Sequence, residues 1–115
     1  MWAGIYWQYP VNNWGDYPGY ALTGASRLVF WARGEHGGEQ AEFKVGGVSD
    51  PGKPYRDSFG PLSSGVLTLG AKWTRYKIPL AGRDLTSLLG GFCWVTNTPQ
   101  NPNGATIFVD DIVIE

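Results

Sequence analysis

Three carboxylates fall within eight positions of the segment GEHGGEQAE, at Glu35, Glu39 and Glu42, and the chain's only histidine, His36, sits among them. Paired carboxyls are the means of glycoside cleavage, held about 5–5.5 Å apart for retention or about 6.5–9.5 Å for inversion, one of them with a raised pKa. Glu35, Glu39 and Glu42 supply such a pair if GEHGGEQ is the turn of a hairpin. Glu35 and Glu39 then flank an exposed turn, where water keeps a carboxylate's pKa ordinary and no acid is poised at neutral pH. Copper-dependent oxidation of a polysaccharide needs at least two nitrogen ligands, and one histidine does not provide them. Cys93 is the only cysteine. It excludes an internal disulfide and every multi-cysteine zinc or iron–sulfur centre, and inside an apolar strand it reads as a buried, inert thiol. No catalytic residue is assigned.

Recognition is the second chemistry these residues suggest. The segment WAGIYWQYPVNNW, residues 2–14, holds three tryptophans and two tyrosines and no charged residue. A pyranose ring has an apolar face of C–H groups and a rim of hydroxyls. Aromatic planes suit the first. Side-chain amides and charges satisfy the hydroxyls, which otherwise lose roughly 1–3 kcal/mol each on desolvation.

The elements that must position these groups read as strands. Helical periodicity is hard to find, whereas alternation over four to eight residues between turn signals recurs, predicting strands near 2–9, 27–33, 40–45, 65–69, 73–79, 91–97 and 106–114. Gly contributes 17 residues and Pro 8, lying between the apolar runs as turn punctuation. GEHGGEQ is expected to join 27–33 to 40–45 as a hairpin, GGVSDPGKPYRDSFGP and NTPQNPNG to be loops, and DLTSLL to make at most one helical turn capped by Asp84. The expected fold class is all-β, an antiparallel two-sheet sandwich of the jelly-roll kind, in one domain over residues 1–115.

Alternation then sorts the side chains. In the first strand Trp2, Tyr6 and Gln8 share one face, and Ala3, Ile5, Trp7 and Tyr9 the other, which is the expected core side. Leu28, Phe30 and Ala32 face in, with Val29, Trp31 and Arg33 out. Ala41, Phe43 and Val45 face in, with Glu42 and Lys44 out. For GFCWVTN periodicity leaves open whether Phe92, Trp94 and Thr96 or Cys93, Val95 and Asn97 face the core. The expected binding surface comprises Tyr6, Gln8, Trp31, Arg33, Glu42, Lys44, Trp94 and Asn97, with Trp14 and Tyr17 walling one end.

Charge narrows the partner. Nine Lys and Arg against ten Asp and Glu leave a formal charge of −1, which supplies none of the attraction that nucleic-acid binding relies on. No apolar run approaches the roughly 20 residues of a membrane span, and the first residues lack a signal peptide's layout. The expected partner is a polysaccharide or oligosaccharide, with neither nucleic acid nor membrane.

The successive segments WAGIYWQYPVNNWG, LTGASRLVFWARGEHGGEQAEFKVGG, WTRYKIPLAGRDLTSLLGGFCWVTN and GATIFVDDIVIE resemble the jelly-roll carbohydrate-binding modules of galactose-binding-like fold found in bacterial polysaccharide-degrading proteins. The likeness runs through nearly the whole chain, LVFWARGEHGGE, GGFCWVTN and FVDDIVIE being its most specific pieces. It implies non-catalytic binding of a β-glucan, cellulose-type or related plant polysaccharide, by a secreted or cell-surface component. Similar modules place a carboxylate on a structural calcium ion in the segment matching FVDDIVIE. Asp110 and Asp111 are the candidates, at most one of them entering the shell unless a bulge intervenes. Such modules also begin with one or two strands before the segment matching WAGIYW. Their lack here leaves an expected open sheet edge and a possible homodimer through it. Two other readings stand beside the binding module: a protein-interaction or structural sandwich, and a small glycoside hydrolase.

Overall fold

The computed structural model describes residues 2–115; the side chain of Trp2 lies outside the described part. Seven strands form two antiparallel sheets: β1 (Trp2–Gln8), β2 (Arg27–Gly34), β3 (Gln40–Val45), β4 (Leu62–Thr68), β5 (Thr74–Pro79), β6 (Gly90–Asn97) and β7 (Ile107–Ile114). One sheet has the order β1-β6-β3-β4 and the other β5-β2-β7. The architecture is a β-sandwich, as alternation and turn punctuation predict.

The core is built by the residues assigned inward on β2 and β3. Leu28, Phe30 and Ala32 from one sheet meet Ala41, Phe43 and Val45 from the other, all buried, with Leu69, Ile78, Leu80 and Leu85 closing the margins. Phe30, Phe43 and Phe92 form a ring triangle across the two layers, with centroids 4.5, 5.3 and 5.9 Å apart. Such aromatic contacts add to the area that each ring removes from water. Because Phe92 faces in, so does Trp94, which packs half-buried against this cluster. The face left open by the sequence is thereby decided, and Trp94 is withdrawn from the outer surface.

Several expectations are corrected by the topology. GEHGGEQ is not a hairpin turn. β2 and β3 belong to different sheets, so the segment carries the chain from one layer to the other, held by Gly38 N–H donating to the Leu69 carbonyl at 2.8 Å. β4 starts three residues before the predicted strand, at Leu62 instead of 65. DLTSLL makes no helix; Asp84 instead accepts the Thr86 N–H at 3.1 Å and its hydroxyl at 2.7 Å, a local turn that competes with helix. The Thr86 hydroxyl is the main reason the Asp84 pKa lies below the ordinary carboxylate value.

The expectation that Ile5 and Trp7 go inside also fails. They are 47% and 44% exposed, and Tyr9 is exposed too. The direction of alternation is right, since Trp7 stands 5.2 Å from Phe92 ring to ring. What is missing is cover. A sheet of four lies over a sheet of three, β1 is an edge strand of the wider layer, and Trp7 opens onto an apolar hollow that it shares with Tyr20, Leu22 and Ile114.

Candidate functional site

The outer face of the four-stranded sheet is read directly from strand register. One row across it runs Gly4, Val95, Glu42 and Val66, and the next runs Tyr6, Cys93, Lys44 and Ser63. The residues nearest β6 are small, so the middle of the face is low. Aromatic groups rise at its β1 side: Tyr6 meets Trp14 with ring centroids 5.4 Å apart and planes inclined at 59°. Both rings are exposed. They stand between two open hollows, one of about 740 Å³ bordered by Gly4, Gln8 and Val11, the other of about 360 Å³ bordered by Gly47, Ser49 and Asp50. These sizes suit sugar-sized groups.

Across the low middle, Lys44 Nζ lies 3.8 Å from Glu42 Oε1, and Glu42 also accepts the Ser63 hydroxyl. The pair presents a cation and an anion side by side, both half-buried. Cys93 is buried as expected, but on this outer side, beneath Tyr6 and Lys44 instead of in the core. Burial pushes its thiol pKa up. Burial, with a side-chain hydrogen bond to Cys93, likewise pushes the Tyr6 hydroxyl up to about 12, so Tyr6 remains a neutral donor and acceptor throughout the physiological range.

Two buried polar residues, neither singled out from the sequence, hold the frame of this face. Asn13 is fully buried. Its Nδ2 donates to the carbonyls of Tyr9 and Tyr17 at 2.8 and 2.9 Å, and its Oδ1 accepts the N–H groups of Gly15 and Tyr17 at 3.0 and 3.2 Å. The segment that displays Trp14 is thus wound around one amide. Next to it, a Cβ on Gly15 collides with the Tyr55 carbonyl at 2.6 Å, at a φ of +118°, so only glycine fits there. Asp57, also buried, accepts the Val48 N–H at 2.6 Å and the Leu89 N–H at 2.5 Å, tying the long 46–61 loop to the start of β6. The cue in sequence was weak in both cases: an Asn or Asp in a turn-rich stretch reads as a local turn residue, and only the fold reveals that these are sealed from water.

The structure divides the expected surface. Tyr6, Gln8, Trp14, Glu42 and Lys44 lie on or beside this face. Asn97 lies at its far end, where its Oδ1 is committed to the Gln100 N–H at 3.0 Å. Trp31 and Arg33 are not here. β2 sits in the other sheet, and its outward side chains point away from the opposite surface of the sandwich. Alternation tells in from out within a strand but does not say to which layer that strand belongs. Tyr17 is exposed, in the loop after β1.

The carboxylates considered for chemistry are also separated. Glu42 is on the outer face, whereas Glu39 is buried at the end of the 34–40 connection, just before β3, contrary to the expectation that it is exposed. Its Oε2 accepts the His36 N–H at 2.9 Å, and that backbone donor holds its pKa below the ordinary value. A lowered pKa is the reverse of what a general acid requires. Glu35 lies 3.7 Å from His36, both exposed.

At β7 the register slips between Val29 and Trp31, and Asp111 takes a φ of +50°. This bulge leaves both Asp110 and Asp111 exposed, with Asp110 Oδ1 accepting the N–H of Asp111 at 2.8 Å. Calcium takes six to eight oxygens. Among the described residues no three His, Cys, Asp or Glu side chains gather in one place.

No family model matches the chain, and no curated protein or solved structure matches it. The likeness to carbohydrate-binding modules therefore rests on the quoted motifs alone. Among the described residues no helix is long and apolar enough to cross a membrane.

Proposed function

We propose that this chain binds a neutral β-glucan chain, without cleaving it, across the outer face of the four-stranded sheet. The observation that carries the reading is the exposed Tyr6–Trp14 ring pair standing between two open hollows beside the Glu42–Lys44 pair. Sugar rings rest their C–H faces on Tyr6 and Trp14. Gln8, Glu42 and Lys44 offer hydrogen bonds to hydroxyls, with Asn97 at the far end. Affinity in the micromolar range, about −7 to −9 kcal/mol, is what a shallow, wet surface of this kind yields. Glu42, the one glutamate on this face, is a hydroxyl ligand in this reading and not half of a catalytic pair.

Affinity electrophoresis against hydroxyethylcellulose, mixed-linkage glucan and xyloglucan tests the proposal, with a reducing-end assay on the same polymers. Retardation without new reducing ends, weakened tenfold or more by Trp14→Ala, is the expected result. New reducing ends that disappear in Glu42→Gln replace binding with hydrolysis. A protein-interaction domain is the second reading, and one observation favours it: the exposed, uncharged surface formed by Ile5 and Trp7 of β1 with Tyr9 just beyond it.

A further inference from the structure

The opposite surface of the sandwich carries a pattern of its own. On β2, Trp31 and Arg33 face outward. Register puts Trp31 between Arg75 of β5 and Asp110 of β7, and puts Val29, two residues on, beside Lys77. The Arg33 guanidinium lies 4.8 Å from the Phe108 ring centroid and 6.0 Å from that of Trp73, and its Nη1 donates to the Ala71 carbonyl at 3.0 Å. Arg33 is thereby pinned between two exposed rings, and Trp31, 37% exposed, lies two residues along.

Charge is divided across this face: Arg75 and Lys77 stand on β5 opposite Trp31 and Val29, whereas Asp110 and Asp111, both exposed, stand on β7. Glu115 reaches Arg75 only at 3.7 Å and is already paired with Arg27 at 2.8 Å. Guanidinium groups beside flat aromatic planes match a ligand that combines an anion with an apolar ring face. β2 is hydrogen-bonded on both sides, so the centre of the face offers no strand edge for an extended peptide to join. A carboxylate-bearing sugar meets both demands, resting its ring on Trp31 and its anion on Arg75 and Lys77.

We infer that the outer face of the three-stranded sheet is a second binding surface, for an acidic, uronate-type polysaccharide. It is independent of the neutral-glucan face, since the two lie on opposite sides of the core. With both occupied, one small domain bridges two kinds of polymer.

The test is affinity electrophoresis and titration calorimetry with polygalacturonate at low salt, with hydroxyethylcellulose and poly-glutamate in parallel. Binding of polygalacturonate is expected, weakening tenfold or more on adding about 0.5 M salt, where screening is short-ranged. The double variant Arg75→Gln/Lys77→Gln is expected to lose at least tenfold in polygalacturonate affinity while keeping its melting temperature and any neutral-glucan binding. Both side chains are exposed, so the variant folds. Trp31→Ala, checked by circular dichroism, should show the same loss. Absence of polygalacturonate binding at low salt, equal binding by the double variant, or equal binding of poly-glutamate each overturns the inference. Failure with hydroxyethylcellulose alone overturns the neutral-glucan reading and leaves this one standing.

Discussion

Glu39 shows how one carboxylate changes meaning between sequence and fold. It sits close enough to the Gly34 backbone that a Cβ at position 34 runs into its carboxylate, and it accepts the His36 N–H. Because that donor lowers its pKa below the ordinary 4.5, the unfolded chain takes up the proton first as pH falls. The stabilisation is whole above about 4.5 and is lost as pH drops through that value toward the lower one of the folded state. Glu39→Gln removes it. The gap in urea midpoint between wild type and this variant is therefore expected to stay constant near neutrality and to shrink below pH 4.5. A gap that widens on acidification contradicts the assignment.

Among the structural elements, the loop from Tyr9 to Tyr17 matters most to the proposed site. It has no regular structure, and its shape depends on the four hydrogen bonds of Asn13. A net value near 1 kcal/mol per bond, with a buried amide's desolvation on top, puts Asn13→Ala at a cost of about 2–4 kcal/mol. Asp at this position also fails, because two carbonyls need donors. Urea denaturation should show the loss. In the fraction still folded, glucan affinity should fall severalfold, because Trp14 no longer has a fixed place. Unchanged affinity in folded Asn13→Ala protein excludes Trp14 from the site.

For the whole molecule, the four sheet edges are unequally guarded. β5 carries Arg75, Lys77 and Pro79, β7 has Asp110 and Asp111 with a bulge, and β4 has a register shift and Gly65 at a φ of +72°. These are the usual obstacles to strand addition. β1, WAGIYWQ, has no charge and exposes apolar residues at Ile5 and Trp7. Self-association through β1 is the expected consequence, two copies pairing about a two-fold axis. Light scattering should give a mass rising above the 12.6 kDa monomer with concentration, and Ala3→Lys should return it to the monomer. A monomer mass for the unaltered chain at millimolar concentration contradicts the expectation.

Legibility followed the range of the forces involved. Strand positions were readable because alternation and glycine–proline punctuation are local, and β2 and β3 sorted their residues correctly because both are central and covered on the inner side. The β1 core assignment failed because cover is a property of the opposite layer. The hairpin failed because glycine permits a reversal without saying whether the chain stays in its sheet. The residues that could stack on or hydrogen-bond a sugar were visible as types.

The sequence by itself determined the fold class, the core of β2 and β3, and the supply of aromatic and polar groups, since these depend on periodicity and composition. Tertiary structure decided which groups stand together. It set Tyr6 against Trp14 through a loop wound on Asn13, buried Glu39, turned Trp94 inward, and sent Trp31 and Arg33 to the far side. Pairing between distant strands carries no local signal, and the layer a strand joins is chosen by the burial of the whole chain.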